Sequence, residues 1–297
     1  TAFVTSITGE HLTDKEYRKA GVLSNTVDNN IYNFTKDATT ITTAGSAVTT
    51  AKDTTLQLNK HDLTITANSG DGIAATGGTL TVKDAGSLTV NGAKAINANN
   101  IKVDITAVNA TLNGDVSTNS AVSIKAAKAA NITGAVSADG ANAAVIIDSA
   151  DTTIGSDITA NGKGAKVTAK SLSKLDGDVT TDADGSVELT FKEGAVWTGD
   201  NSGNTTMSLS KGNWNGANTG KLNATLTNGT AWTGDSSGAG STITLDASTW
   251  NGANSGANAT IDLTDSSWTG DNSGAGVTIT ADNSKWNGNA NAAGSAV

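Results

Sequence analysis

Residues 266–286 read SSWTGDNSGAGVTITADNSKW, running from one tryptophan to the next. The stretch passes through Gly270-Asp271-Asn272-Ser273-Gly274, alternates apolar and polar residues over VTITA, and arrives at Trp286. Taken alone, Gly-Asp-Asn-Ser-Gly has the look of a site: a loop for a nucleophilic serine, a calcium ion or a phosphate. Its neighbours decide otherwise. Tryptophans fall at 197, 214, 232, 250, 268 and 286, and they open the phrases WTGDNSG, WNGANTG, WTGDSSG, WNGANSG, WTGDNSG and WNGNANA. Gly, Asn, Asp and Ser are the residues that tolerate turn geometry and positive φ. A catalytic loop is placed once, whereas a structural corner recurs in every repeat. Fixed self-similarity at this period is the signature of a solenoid. The phrases also alternate between Thr-Gly-Asp and Asn-Gly-Ala/Asn, so a double-length repeat lies over the single one.

The same register continues upstream in other residues. LDGDV at Leu175, IGSDI at Ile154, ITGAV at Ile132 and LNGDV at Leu112 extend the tryptophan column with Leu and Ile, at intervals of 20 to 22. Second strand phrases follow, such as AVSIKA, AAVIID, AKVTA and SVELTF, then TMSLS, STITL and VTITA. One ladder therefore spans about 112–297, and looser alternations extend it from about residue 54. A rung of 17 to 22 residues holds two or three short strands with turns. Stacked at the ~4.8 Å strand spacing, such rungs form a parallel β-helix, and fifteen or so would make a rod of roughly 70 Å. A left-handed coil follows a six-residue aliphatic beat that the longer rungs do not keep, so the expectation is a right-handed parallel β-helix, all-β.

Composition fits that architecture. Hydrophobic residues are 36% and aromatics 4% of 297, thin for a globular core but enough for a rod that buries only inward positions. Low hydrophobicity with net charge also marks disorder, which the repeated alternations exclude. Net charge is -9 and Arg18 is the only arginine, which sets nucleic-acid binding aside. With no cysteine, disulfides and thiolate chemistry are excluded. No apolar run is long enough for a membrane span, and no membrane insertion by this chain is expected.

Alternation sets the facing. In STITL (241–245), Ile243 and Leu245 point one way and Thr242 and Thr244 the other. Trp268 shares a face with Gly270, and because Leu and Ile continue its column, the indoles are expected inside. An outward aromatic stripe for a sugar or partner is the rival. Near the start, LTDKEYRKAG (12–21) reads as a short capping helix, with Thr13 and Glu16 as a capping box, Leu12 and Tyr17 as a staple and Gly21 as its end. Residues 1–24 are thus expected to be a cap or leading segment and 25–297 the coil. The last rung shows no closing element, and the natural protein is expected to continue.

The phrases SSWTGDNSG and STWNGANSG, on Thr/Asn/Gly-rich rungs without cysteine, resemble passenger domains of bacterial type V autotransporters, closest to the adhesin branch with self-associating proteins of the antigen 43 type. The similarity covers the repeat grammar of roughly residues 50–297. It implies a right-handed β-helix displayed on a Gram-negative cell surface, with a role in adhesion, autoaggregation or biofilm formation. Its partners would be a second copy of itself, or a host surface protein or glycan.

Several chemistries find little footing. GDSSG at 234–238 echoes a serine-protease loop, yet a triad needs a histidine base, only His11 and His61 exist, and Ser236 belongs to a repeated column. A polysaccharide hydrolase gathers two carboxylates within several ångströms. Asp200, Asp235 and Asp271 recur only every second rung, and Asp246, Asp262 and Asp282 are strung along the rod. Neither a cofactor nor an enzyme is expected, with a carbohydrate-active β-helix or a passive stalk as the alternatives. What remains is repetition of polar groups taken to point outward. Thr242, Thr244, Asp246, Thr260, Asp262, Thr264, Thr278, Thr280 and Asp282 form one ladder, and Asn201, Asn218, Asn254 and Asn272, each four residues past a tryptophan, line a corner. Together they are the candidate self-association face, on which antiparallel copies exchange many weak bonds. A threonine ladder also invites an ice-binding reading, which the interrupting Asp residues weaken.

Overall fold

A computed structural model describes residues 3–13 and 30–291. Its described residues form strands that pair in parallel, coiled as a right-handed β-helix. Each rung runs along a first face, turns a first corner to a second face, turns a second corner to a third face, and closes through a third corner.

The first face stacks fourteen strands. Its outward column runs Val4, Ile31, Thr55, Thr81, Asp104, Ser123, Ile146, Thr168, Glu188, Thr206, Asn223, Thr242, Thr260 and Thr278. From the second strand on, one residue further along each strand the side chains turn inward, from Tyr32, Leu56, Val82 and Ile105 to Ile243, Ile261 and Ile279, all buried. The burial pattern of Thr242–Asp246 alternates as its sequence requires, with Ile243 and Leu245 fully covered.

On the second face the expected column is present and longer than its sequence signal. Leu112, Ile132, Ile154 and Leu175 pair in series and hand over to Trp197, which pairs with Trp214 and so on to Trp286. Upstream the column continues through Val90, Ile65 and Ile41 to Leu12. The indoles point inward. Trp197, Trp214, Trp232, Trp250 and Trp268 are at most 1% exposed, with ring centroids 4.4 to 4.8 Å apart and planes within 6° of parallel. Trp286 is half-buried at the end of the stack, 4.9 Å from Trp268.

Each indole Nε1 donates to the carbonyl of a glycine one rung below, Trp197 to Gly177 at 3.0 Å through Trp268 to Gly252 at 2.8 Å. These glycines line the second corner at close approach. A Cβ on Gly252 would lie 1.9 Å from the Gly234 carbonyl oxygen, so no other residue fits there. The alternation of phrases is an alternation of backbone. Gly199, Gly234 and Gly270 of the Thr-Gly-Asp rungs have φ near +150°, at 149°, 152° and 155°, while Gly216 and Gly252 of the Asn-Gly-Ala rungs do not have positive φ.

The coil begins earlier than expected. Phe3–Ile7 pairs with Asn30–Phe34, and His11–Leu12 pairs within Ala38–Thr43, so residues 3–7 and 11–12 already form part of a rung. Leu12 therefore lies on a strand rather than in a helix. Glu16, Tyr17 and Gly21 of the expected capping helix lie outside the described residues.

Candidate interaction faces and the asparagine column

The nine Thr and Asp positions of the candidate face lie together on the first face, in three adjacent columns. Thr242, Thr260 and Thr278 share one, Thr244, Asp262 and Thr280 the next, and Asp246, Thr264 and Asp282 the third. The columns continue below through Asn223, Thr225 and Thr227, and below those through Thr206, Ser208 and Ser210. All nine are half-buried or exposed. Among the described residues, the hydroxyls of Thr242, Thr244, Thr260, Thr278 and Thr280 have no hydrogen-bond partner. The three acids are spread as the sequence suggests: Asp246 and Asp282 are separated by Thr264, and Asp262 stands in the neighbouring column.

The asparagines are a correction. Asn201, Asn218, Asn254 and Asn272 do sit at a corner, but they point inward and are at most 1% exposed. They belong to the third face, where they continue an aliphatic column: Val48, Ile73, Ile96, Val116, Val136, Ile158 and Val179 pair in series and hand over to Asn201. Their amides take the place of strand hydrogen bonds. Asn254 Nδ2 donates to the Gly256 carbonyl at 3.2 Å while Asn254 Oδ1 accepts from the Gly256 N–H at 3.3 Å. The same Nδ2 donates to Asn272 Oδ1 of the next rung at 2.8 Å, and Asn201 reaches Asn218 likewise. Buried amides are tolerated because they are paired in this way. These residues are therefore structural and leave the candidate face.

The two handovers occur in one rung. Leu175 gives way to Trp197 on the second face just where Val179 gives way to Asn201 on the third. There the third face shrinks from strands such as Ile158–Asn161 to a single bridging residue, and the rung shortens to 17 or 18 residues. The indole fills the interior that a longer third strand would otherwise close, and the asparagine ties off the tightened corner. Ser236 interrupts the amide column. It accepts from Asn218 Nδ2 at 3.1 Å, and Ser241, buried where other rungs place Leu222, Ala259 or Val277, comes within 3.4 Å of the same nitrogen.

A further ladder escaped sequence reading. At the first corner stand Thr230, Ser248, Ser266 and Ser284, each two residues before a tryptophan. Thr230, Ser266 and Ser284 accept backbone N–H groups from the rung below, Ser248 N to Ser266 Oγ and Ser266 N to Ser284 Oγ both at 3.0 Å, while Ser248 Oγ donates to the Asp246 carbonyl. Its signal was the constant spacing, hidden because serine also suits a solvated turn.

Acids that looked like ligands serve the backbone instead. Asp200, Asp235 and Asp271 accept through Oδ1 from the N–H groups of Ala217, Ala253 and Asn289 in the next rung, at 2.8, 2.8 and 2.9 Å. At the third corner, desolvation acts to raise the Asp182 pKa, but the N–H donors of Gly185, Gly162 and Asp184 together outweigh it and hold it below the usual carboxylate value. Among the described residues no group of three His, Asp or Glu side chains is placed to hold a metal ion. Ser236 is fully buried, and His61 lies many rungs away at the first corner, with Nδ1 3.8 Å from Asp37. No catalytic triad forms around GDSSG.

No protein-family model, curated protein or solved structure matches the chain.

Proposed function

We propose that this chain is the displayed rod of a bacterial surface adhesin, of the kind its repeat phrases resemble, and that it acts by self-association through the first face. The observation that carries the reading is the set of in-register threonines, Thr242 over Thr260 over Thr278 and Thr244 beside Asp262 and Thr280, whose hydroxyls are unpaired among the described residues. A rigid coil presents them at the ~4.8 Å strand repeat, a spacing that a second copy of the same ladder, laid antiparallel, matches. Each bond formed would contribute only about 0.5–1.5 kcal/mol. Repetition along the rod then supplies avidity. Net charge of -9 opposes association at low salt, so moderate ionic strength favours it.

The test is sedimentation over a concentration series, paired with display of the chain on cells. Replacing Thr242, Thr260 and Thr278 by lysine is expected to abolish cell clumping while the fold is retained. A displayed rod that never clumps cells would make it a passive stalk. Turnover of an acidic polysaccharide in the presence of calcium would make it a carbohydrate-active enzyme.

A further inference from the structure

Charge is unevenly placed around the second face. Between residues 121 and 217, the first corner and the strand ends beside it carry six exposed lysines: Lys125, Lys128, Lys170, Lys174, Lys192 and Lys211. Only three acids stand among them. Asp148 and Asp151 are half-buried, and Asp151 accepts from Ser173 Oγ and lies 3.8 Å from Lys192. Glu193 is exposed and pairs with Lys211 at 2.7 Å.

The opposite edge of the same rungs is acidic. Asp157, Asp176, Asp178 and Asp200 are all exposed, and no lysine accompanies them. Three of them stack in register, because Asp157 Oδ1 accepts from the Asp178 N–H and Asp178 Oδ1 from the Asp200 N–H, both at 2.8 Å. Lys174 and Asp176 stand on the face itself: Lys174 shares the column on the first-corner side with Thr153, Val196 and Asn213, and Asp176 the column on the second-corner side with Thr198 and Asn215. Val196 is 38% exposed, one of three large hydrophobics left open among the described residues.

We infer that this stretch of the second face docks a second copy of the same chain, with the two rods side by side and pointing the same way. A two-fold axis running along the rods exchanges left and right edges. It therefore lays the lysine ridge of each copy on the aspartate ridge of the other, rung against rung, at both margins of one self-complementary contact. A two-fold axis across the rods keeps the edges in place and sets lysine against lysine. Charge complementarity thus selects the parallel pair and rejects the antiparallel one. Beyond residue 217 the first corner turns acidic, with Asp246, Asp265 and Asp282 against Lys285, which confines the match to the middle of the rod. The inference uses a different face and the opposite orientation from the first-face reading, and stands without it.

The test uses the whole chain and two charge reversals, Lys170→Glu with Lys174→Glu, and Asp176→Lys with Asp200→Lys. By sedimentation equilibrium at low salt, the unaltered chain is expected to dimerise. Each variant alone should associate roughly tenfold more weakly or worse, as loss of several rim charge pairs implies. Mixing the two variants should restore association, because one now has two acidic edges and the other two basic ones. Recovery on mixing also shows that both variants fold. A mixture no tighter than either variant alone, or an unaltered chain that stays monomeric, overturns the inference.

Orientation is read by energy transfer between copies labelled at Thr249→Cys, the only thiol in such a chain. Efficient transfer fits parallel rods, and its absence in an associated sample refutes them. Thr242→Lys with Thr260→Lys should leave this dimer intact. If that first-face variant dissolves it, the contact lies on the first face and the inference falls. A dimer that persists on cells that never clump would instead remove only the adhesin reading.

Discussion

Replacing Trp232 by alanine should cost far more than the same change at Trp286. Trp232 is buried between Trp214 at 4.4 Å and Trp250 at 4.6 Å, and its Nε1 donates to the Gly216 carbonyl at 2.9 Å. Truncating a large core aromatic costs about 3–5 kcal/mol. Each lost ring contact adds about 0.5–1.5 kcal/mol beyond area, and the stranded carbonyl adds about 1 kcal/mol. The expected total is about 5–9 kcal/mol by these contributions. Trp286 is half-buried and has one ring neighbour, at 4.9 Å, so about 2–3 kcal/mol is expected there. Rungs touch only their neighbours, so the damage should stay local. Hydrogen exchange read by mass spectrometry is the suitable assay, since a long repeat array need not unfold in one step. Protection should fall in the rungs from Trp214 to Trp250 and persist around Leu112 to Leu175. Equal costs at the two positions, or a uniform loss of protection along the rod, would refute a continuous load-sharing stack.

Other substitutions probe the corners. Asn254→Val restores the side-chain type that Val179 places in the same column, yet it should destabilise the rod by about 2–4 kcal/mol, because it removes three buried hydrogen bonds from a turn that has no strand to replace them; denaturant titration checks this. Gly252→Ala drives a Cβ to 1.9 Å from the Gly234 oxygen and should cost more than about 3 kcal/mol, whereas Gly45→Ala, with nothing within 4 Å, should stay within about 0.5 kcal/mol in the same titration. For Asp182 the folded pKa lies below the unfolded one, so its stabilisation of the third corner is present above the ordinary carboxylate range and is lost as pH falls through the depressed value. Amide exchange at Gly162 and Gly185 should quicken across that acid window, and Asp182→Asn should remove the pH step.

Much of this was readable from the chain. The equal tryptophan intervals located the second-face column, and Leu175, Ile154, Ile132 and Leu112 extended it, because a solenoid repeats one burial environment at one spacing. Thr242 and Thr244 faced outward and Ile243 and Leu245 inward, since strand alternation leaves no other choice. The asparagines were misread because polarity was taken as a sign of exposure. In a corner with too few residues to form a strand, a side-chain amide replaces the missing backbone partner. The spacing that gives this away is Asn-x-Gly, as in Asn201-Ser202-Gly203 and Asn254-Ser255-Gly256. The earliest rung was missed for a different reason: Phe3–Ile7 and His11–Leu12 carry no turn phrase like those downstream, and their partners lie far along the chain.

The alternation of Thr-Gly-Asp and Asn-Gly-Ala rungs limits how such a rod can grow or shrink. A carboxylate in one rung holds the amide above it, and the glycine backbone flips in step, so the heritable module is a pair of rungs, the 36 residues from Trp232 to Trp268. Copying errors that add or drop one rung would break the alternation of glycine φ in this section. Those that move whole pairs would pass unnoticed by the coil, so natural length variants of the tryptophan section should differ by even numbers of rungs.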